Sequence, residues 1–129
     1  MKRITYTDKN EWQDKVGYCR AKKIGNQILI SGTVANDDDG NPIGIGDMEI
    51  QTREIMERFE TVLKNFGYDL SSVVRTRIFT TDISKWEEIG LVHGEFFKDI
   101  KPVTTMVEVS KLISPDYLVE IEAEAIVED

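Results

Sequence analysis

Three glutamates, Glu120, Glu122 and Glu124, stand at every second position near the end of the chain, and Glu108 has the same parity one apolar run earlier. On an extended backbone that spacing puts all of them on one side. Carboxylates so placed repel one another unless cations intervene. Arg75 and Arg77, also two apart, are cations of the right type and spacing. Arginine beside glutamate suits small-molecule chemistry: the guanidinium clamps an anion through two parallel hydrogen bonds, and the carboxylate takes or gives a proton. A solvated strand face carries the same residues, and spacing alone leaves both readings open.

The remaining motifs remove chemistry rather than add it. Asp37-Asp38-Asp39-Gly40 resembles part of a calcium loop. With Gly40 at the sixth loop position, however, the first is Ala35 and the twelfth Gly46, and neither supplies a side-chain ligand. The stretch is a solvated turn. Gly44-Ile45-Gly46 lacks the third glycine of a dinucleotide fingerprint, and no P-loop lysine follows. His93-Gly94-Glu95 matches half of a zinc deaminase signature, but that metal also needs a pair of thiolates and the chain has one cysteine, Cys19. Cys19 reads as a buried, inert thiol. His93 reads as a hydrogen-bonded core or interface histidine, or as a functional group at an oligomer cleft. No Ser–His–Asp order stands out, and no cofactor or metal site is expected.

The whole chain bounds these options. Its 129 residues suffice for one domain, 1–129. Sixteen basic against 24 acidic residues give a formal charge of −8, which disfavours nucleic acid as a partner. A 40 % apolar content supports a core. A single cysteine excludes an internal disulfide. No apolar run approaches the ~20 residues of a membrane span, and the first residues carry no apolar signal stretch. A soluble protein of the cytoplasm is expected, with no membrane partner.

Which elements position the charged residues follows from periodicity. The first 16 residues are polar, with room for a short strand. Residues 18–24 and 27–33 read as a hairpin about Gly25-Asn26. Residues 36–47, with three glycines, a proline and four aspartates, form a loop whose Asp47 caps the next helix. Ile55, Met56, Phe59, Val62, Leu63 and Phe66 recur at helical steps over residues 49–66, ended by Gly67. Residues 72–81 are β-branched and strand-like. Asp82 and Ser84 open a second helix in which Trp86, Ile89, His93, Phe96, Phe97 and Ile100 share a face, and Pro102 stops it. Strands over residues 103–110 and 117–127 complete a β-β-α-β-α-β-β order, an α+β domain with two helices on one face of a mixed sheet.

Alternation assigns Tyr117, Val119, Ile121, Ala123 and Ala125 to the helix-covered face, with Val74, Thr76, Ile78, Val103, Thr105, Val107 and Val109. The other face then mixes Glu108, Glu120, Glu122, Glu124, Arg75 and Arg77 with Met106, Leu118 and Phe79. Apolar members on a charged face point to association, so a homo-oligomer packed through that face is expected.

Several segments occur together in one order. They are Gly25-Asn26, Ser31-Gly32, Gln51-Thr52, Gly67, Val73-Val74, Phe79 with Asp82, Phe96-Phe97, Pro102, Val107-Glu108-Val109 and Val119-Glu120-Ile121-Glu122. In this series the chain resembles the RidA/YjgF family of reactive intermediate deaminases, from about Tyr18 to Ile126. The resemblance implies a chorismate-mutase-like fold, a homotrimer, and metal-free clefts between subunits that take small carboxylate or imine ligands. It implies hydrolysis of enamines and imines to a carbonyl compound and ammonia. Matched position by position, Tyr18, Ser31 and Gly32 line the cleft and Glu120 is the catalytic glutamate. The family's carboxylate-clamping arginine falls at Thr104, and a site asparagine falls at Gly90. The chain thus resembles a divergent branch, with Thr104 and Thr105 in the pocket and Arg77 as a replacement cation.

The expected function is hydrolytic processing of a small imine, enamine or carbonyl metabolite by a trimer, with Glu120 moving the proton. A non-catalytic, regulatory trimer that binds a small metabolite or a partner enzyme is the alternative. The ribonuclease or translation-inhibitor activity ascribed to some relatives comes third, since the chain has no basic stripe.

Overall fold

The computed structural model describes residues 1–128. Six strands, β1 (Arg3–Tyr6), β2 (Ala21–Ile24), β3 (Gln27–Thr33), β4 (Val73–Thr80), β5 (Val103–Glu108) and β6 (Val119–Ile126), form one sheet in the order β1-β2-β3-β6-β4-β5. Neighbours run antiparallel except β4 and β5, which are parallel. A parallel pair needs a crossover, and α3 (Trp86–Phe97) supplies it; α1 (Trp12–Val16) and α2 (Met48–Asn65) complete the helices. The α+β class and mixed sheet are as expected. β1 and α1 extend the expected order: β1 carries no readable alternation, since Arg3, Ile4 and Thr5 are all exposed, and its ladder to β2 fixes it.

Local signals act where the sequence places them. Ile24 pairs with Gln27 across Gly25-Asn26, and Gly25 takes φ +58°. The Asp47 side chain accepts from the Ile50 amide at 3.0 Å. At the other end of α2, the Tyr68 amide bonds the Leu63 carbonyl and Gly67 takes φ +87°, the left-handed close that glycine permits. Asp82 caps a short 3-10 turn through the Ser84 amide. α3 follows and ends at Phe97, three residues short of Ile100.

Ile55, Met56, Phe59 and Leu63 of α2, and Ile89 and Phe97 of α3, pack on Ile28, Ile78, Val119, Ile121 and Ala125. The wholly buried Gln51 ties this layer together. Its amide nitrogen donates to the carbonyls of Gly44 and Asp116, and its Oε1 accepts from the Leu118 amide. A buried amide so engaged leaves no orphaned polar atom to offset the apolar gain. Trp86, expected on the inner face of α3, is 55 % exposed, and Val92 is buried instead.

Two face assignments are corrected. A bulge between Val73 and Arg75 buries Val73 and turns Val74 outward, because the extra residue shifts the alternation by one. In β5 the parallel register pairs Thr76 with Thr104 and Ile78 with Met106. Thr104, Met106 and Glu108 therefore lie on the helix side, while Val103, Thr105 and Val107 join the open face. The open face of the sheet carries Glu120, Glu122, Glu124, Arg75, Arg77 and Phe79 as expected, with Val103 58 % and Val107 42 % exposed.

Candidate functional site

β6 holds Glu120 on the open face opposite Phe79. Beyond it, β3 bulges: Ile30 pairs with Ala123 and Thr33 with Ile121, so Ser31 and Gly32 together oppose Glu122. The bulge brings the Gly32 backbone up to the Glu120 side chain. A Cβ on Gly32 would overlap Oε2 of Glu120 and stand 3.2 Å from its Cδ, so only glycine leaves the carboxylate where it is. Ser31 is fixed from both ends, its hydroxyl donating to the Cys19 carbonyl at 2.7 Å and its amide to the Arg20 carbonyl at 3.0 Å.

Behind Gly32 lies a residue that the alternation gave no reason to single out. Arg20 is only 8 % exposed, and its Nη2 donates to the Gly32 carbonyl at 2.6 Å. Its guanidinium carbon lies 5.9 Å from the centre of the Tyr18 ring, a cation–π distance. Tyr18, Ser31, Gly32 and Glu120 thus meet around one backbone bulge, with Arg20 linking them. A charge two places after Tyr18 in an otherwise strand-like run was the one available signal.

Burial pushes the Glu120 carboxyl above its ordinary 4.5; Arg20 pulls it back down and Glu122 adds to the rise. A carboxylate lifted toward neutrality is a better proton acceptor than one in water. Arg77, expected as a replacement anion anchor, is engaged otherwise. Its Nη1 lies 3.2 Å from Glu122 Oε1 and 2.9 Å from Glu124 Oε1. Thr105 stands beside it on β5, in register on the same face.

Thr104 belongs to a different cluster on the opposite side of the sheet. Its hydroxyl is 2.8 Å from that of the wholly buried Thr76, which is 2.9 Å from Nε2 of His93. Thr104 also donates to the Pro102 carbonyl at 3.2 Å. That bond orders the row: His93 Nε2–H to Thr76, Thr76 to Thr104, Thr104 to Pro102. The His93 ring lies tilted by 40° against Phe97 with centres 4.6 Å apart, and burial pushes its pKa below the ordinary 6.5. Within one chain Thr104 and Glu120 sit on opposite sheet faces.

Among the described residues no three of His, Cys, Asp and Glu are grouped to hold a metal ion, and no helix is long and apolar enough to cross a membrane. Asp37 accepts the amides of Asp39 and Asn41, which makes its segment a self-capped turn.

The family model described as Endoribonuclease L-PSP matches residues 9–127. A RutC family protein of Pyrococcus horikoshii is 34 % identical over 123 residues, covering 95 % of this chain and 96 % of that one. The 3-aminoacrylate deaminase RutC of Acinetobacter baylyi is 33 % identical over 108 residues, or 84 % of this chain and 85 % of that one. Among solved structures, a member of the YjgF/YER057c/UK114 family from Mycobacterium tuberculosis is 44 % identical with a TM-score of 0.88, covering 98 % of this chain and all of that one.

Proposed function

The chain belongs to the RidA/YjgF family, whose model is described as endoribonuclease L-PSP, and on that premise we propose that it hydrolyses small imines or enamines. Water adds to the C=N carbon while Glu120 takes a proton from it and returns that proton to the nitrogen. The carbinolamine then expels ammonia as its hydroxyl proton passes to the departing nitrogen and the C=O forms; an enamine first tautomerises to the imine. The observation that carries the reading is the Glu120 carboxyl, half-buried on the backbone of Gly32 and raised in pKa by that burial. Tyr18, Ser31 and Gly32 line its surroundings. The likeness to a relative named 3-aminoacrylate deaminase supports the same reaction class.

The cleft lies between subunits of a homotrimer. Thr104 faces away from Glu120 within one chain, so a pocket using both draws Thr104 from a second copy; Arg77 and Thr105 lie on the open face that the copies cover. The ligand is a small molecule, and the acidic surface, with a charge of −8, counts against RNA. A non-catalytic binder is the second reading. It is favoured by the uncharged hydroxyl at Thr104, already held by Thr76, where a cation would clamp a carboxylate.

An amino-acid oxidase that generates imino acids in the presence of the protein tests the proposal, with ammonia release as the readout. Faster release that disappears in Glu120→Gln is expected. Unchanged release across a broad amino-acid panel would overturn hydrolysis and leave the binder.

A further inference from the structure

A cavity of about 350 Å³ opens between the outward face of α2, the loop after β3 and the end of β1. Glu120 does not line it, and nothing in the proposed hydrolysis uses it. Its wall carries two arginines, Arg20 and Arg58, and four acids, Asp8, Asp37, Asp38 and Glu54. Two buried polar atoms in that wall have no partner among the described residues: Nε of Arg20 and Oδ1 of Asn36. Native interiors rarely leave such atoms unmet, and an arginine only 8 % exposed is a costly group to bury without its full set of acceptors.

Charge decides what fits. A simple anion would meet the acids, and a simple cation would meet the arginines. A molecule carrying both signs a few ångströms apart satisfies both. Asp37 stays ionised, because the Asn41 and Asp39 amides on its carboxylate, with Arg58 nearby, hold it below the ordinary carboxylate range. The volume lies at the small end of ligand pockets, which run from roughly 300 to 1,000 Å³.

We propose that this cavity is a second binding site, for a free α-amino acid in its zwitterionic form. Its carboxylate meets Arg20 and Arg58, and its ammonium meets Oδ1 of Asn36 and the Asp37 and Glu54 carboxylates. The site does not depend on imine hydrolysis. It does reach the other cluster through Arg20, which holds the Gly32 carbonyl and opposes the burial-driven rise at Glu120, to which Glu122 adds. A carboxylate docked on Arg20 offsets that field, so occupancy makes Glu120 hold its proton to higher pH.

Thermal unfolding of the full chain with each protein amino acid, its decarboxylated amine and its deaminated acid tests the site. At least one amino acid is expected to raise the melting temperature where its amine and its acid do not. Arg58→Gln and Asn36→Leu, which lie outside the Glu120 cluster, should each weaken that binding about tenfold or more, with the fold checked by circular dichroism. Carbon-13 titration of the Glu120 carboxyl should move upward when the ligand is bound. The proposal is overturned if no amino acid binds at millimolar concentration. Equal binding of the amine or acid, indifference to both substitutions, or an unmoved Glu120 titration would overturn it as well.

Discussion

Gly32 lies beneath the Glu120 carboxylate with less room than one methyl group requires, since a Cβ there would overlap Oε2. The clash falls on the far end of a flexible side chain, so in Gly32→Ala the carboxylate moves and the backbone stays. The stability cost should therefore be less than about 1 kcal/mol, below the roughly 1–3 kcal/mol of an overpacked core. Ammonia release should nonetheless fall on the order of 100-fold, since small misplacements of a reacting group carry costs of that size. Chemical denaturation and initial-rate kinetics on one preparation separate the two effects.

The raised pKa of Glu120 fixes the sign of a pH effect. The folded state holds this proton more tightly than the unfolded chain, so the carboxyl costs nothing well below 4.5 and destabilises as pH rises through the folded value. Glu120→Gln removes the charge. It should melt higher than the parent at neutral pH, and the advantage should vanish on acidification below the ordinary carboxylate range. An advantage independent of pH would contradict the burial assignment.

His93 gives the opposite pattern. Burial depresses its pKa below 6.5, so its contribution is complete above the unfolded value and is lost as pH falls from 6.5 toward the folded one. Gln at position 93 keeps a donor near Thr76 and does not titrate. Between about pH 7 and pH 5 the melting temperature of His93→Gln should decline less steeply than that of the parent.

Arg77 lies between Glu122 and Glu124 on the open face. If copies associate through that face, Arg77→Glu puts three carboxylates where one guanidinium bridged two. Light scattering on the eluting parent should give about three times the 14.8 kDa chain mass, and the variant should approach the single-chain value.

Restoring a cation at the β5 position tests the missing clamp. A desolvated charge-assisted contact is worth roughly 2–5 kcal/mol, so Thr104→Arg should raise kcat/KM for carboxylate-bearing imines on the order of 100-fold. Uncharged imines should gain nothing.

Periodicity made α2, the hairpin at Gly25-Asn26, the Asp47 cap and the charged face of β6 legible, because each rests on a local rule with one physical solution. β5 was not legible in the same way. In Val103-Thr104-Thr105-Met106-Val107-Glu108 the more apolar set, Val103, Thr105 and Val107, lies on the open face, so alternation misleads and only the register with β4 decides which face meets the helices. The Val73–Val74 bulge defeats parity for a similar reason: the side-chain types are identical and the backbone alone chooses. Tyr18, Ser31 and Gly32 came from the family resemblance and Glu120 from its spacing as well, and the structure groups the four. Arg20 escaped because its neighbours suggest an ordinary strand, and its role arises from burial against Gly32, which is distant in sequence. His93 was legible as a hydrogen-bonded core or interface histidine, but its link through Thr76 to Thr104 joins three elements that no spacing rule connects.

The two outer strands of the sheet are unlike. β1 is four residues long and begins beside Lys2 and Arg3, whereas β5 presents Val103 and Val107. Short, charged borders resist accretion of further strands, and bare aliphatic ones invite it. A molecule adhesive at one border and blunted at the other does not grow by endless end-to-end addition into fibres. Strand addition at β5 alone would stop at a single pair, and a substitution that strips the positive charge ahead of Ile4 would weaken that safeguard without touching any reacting group.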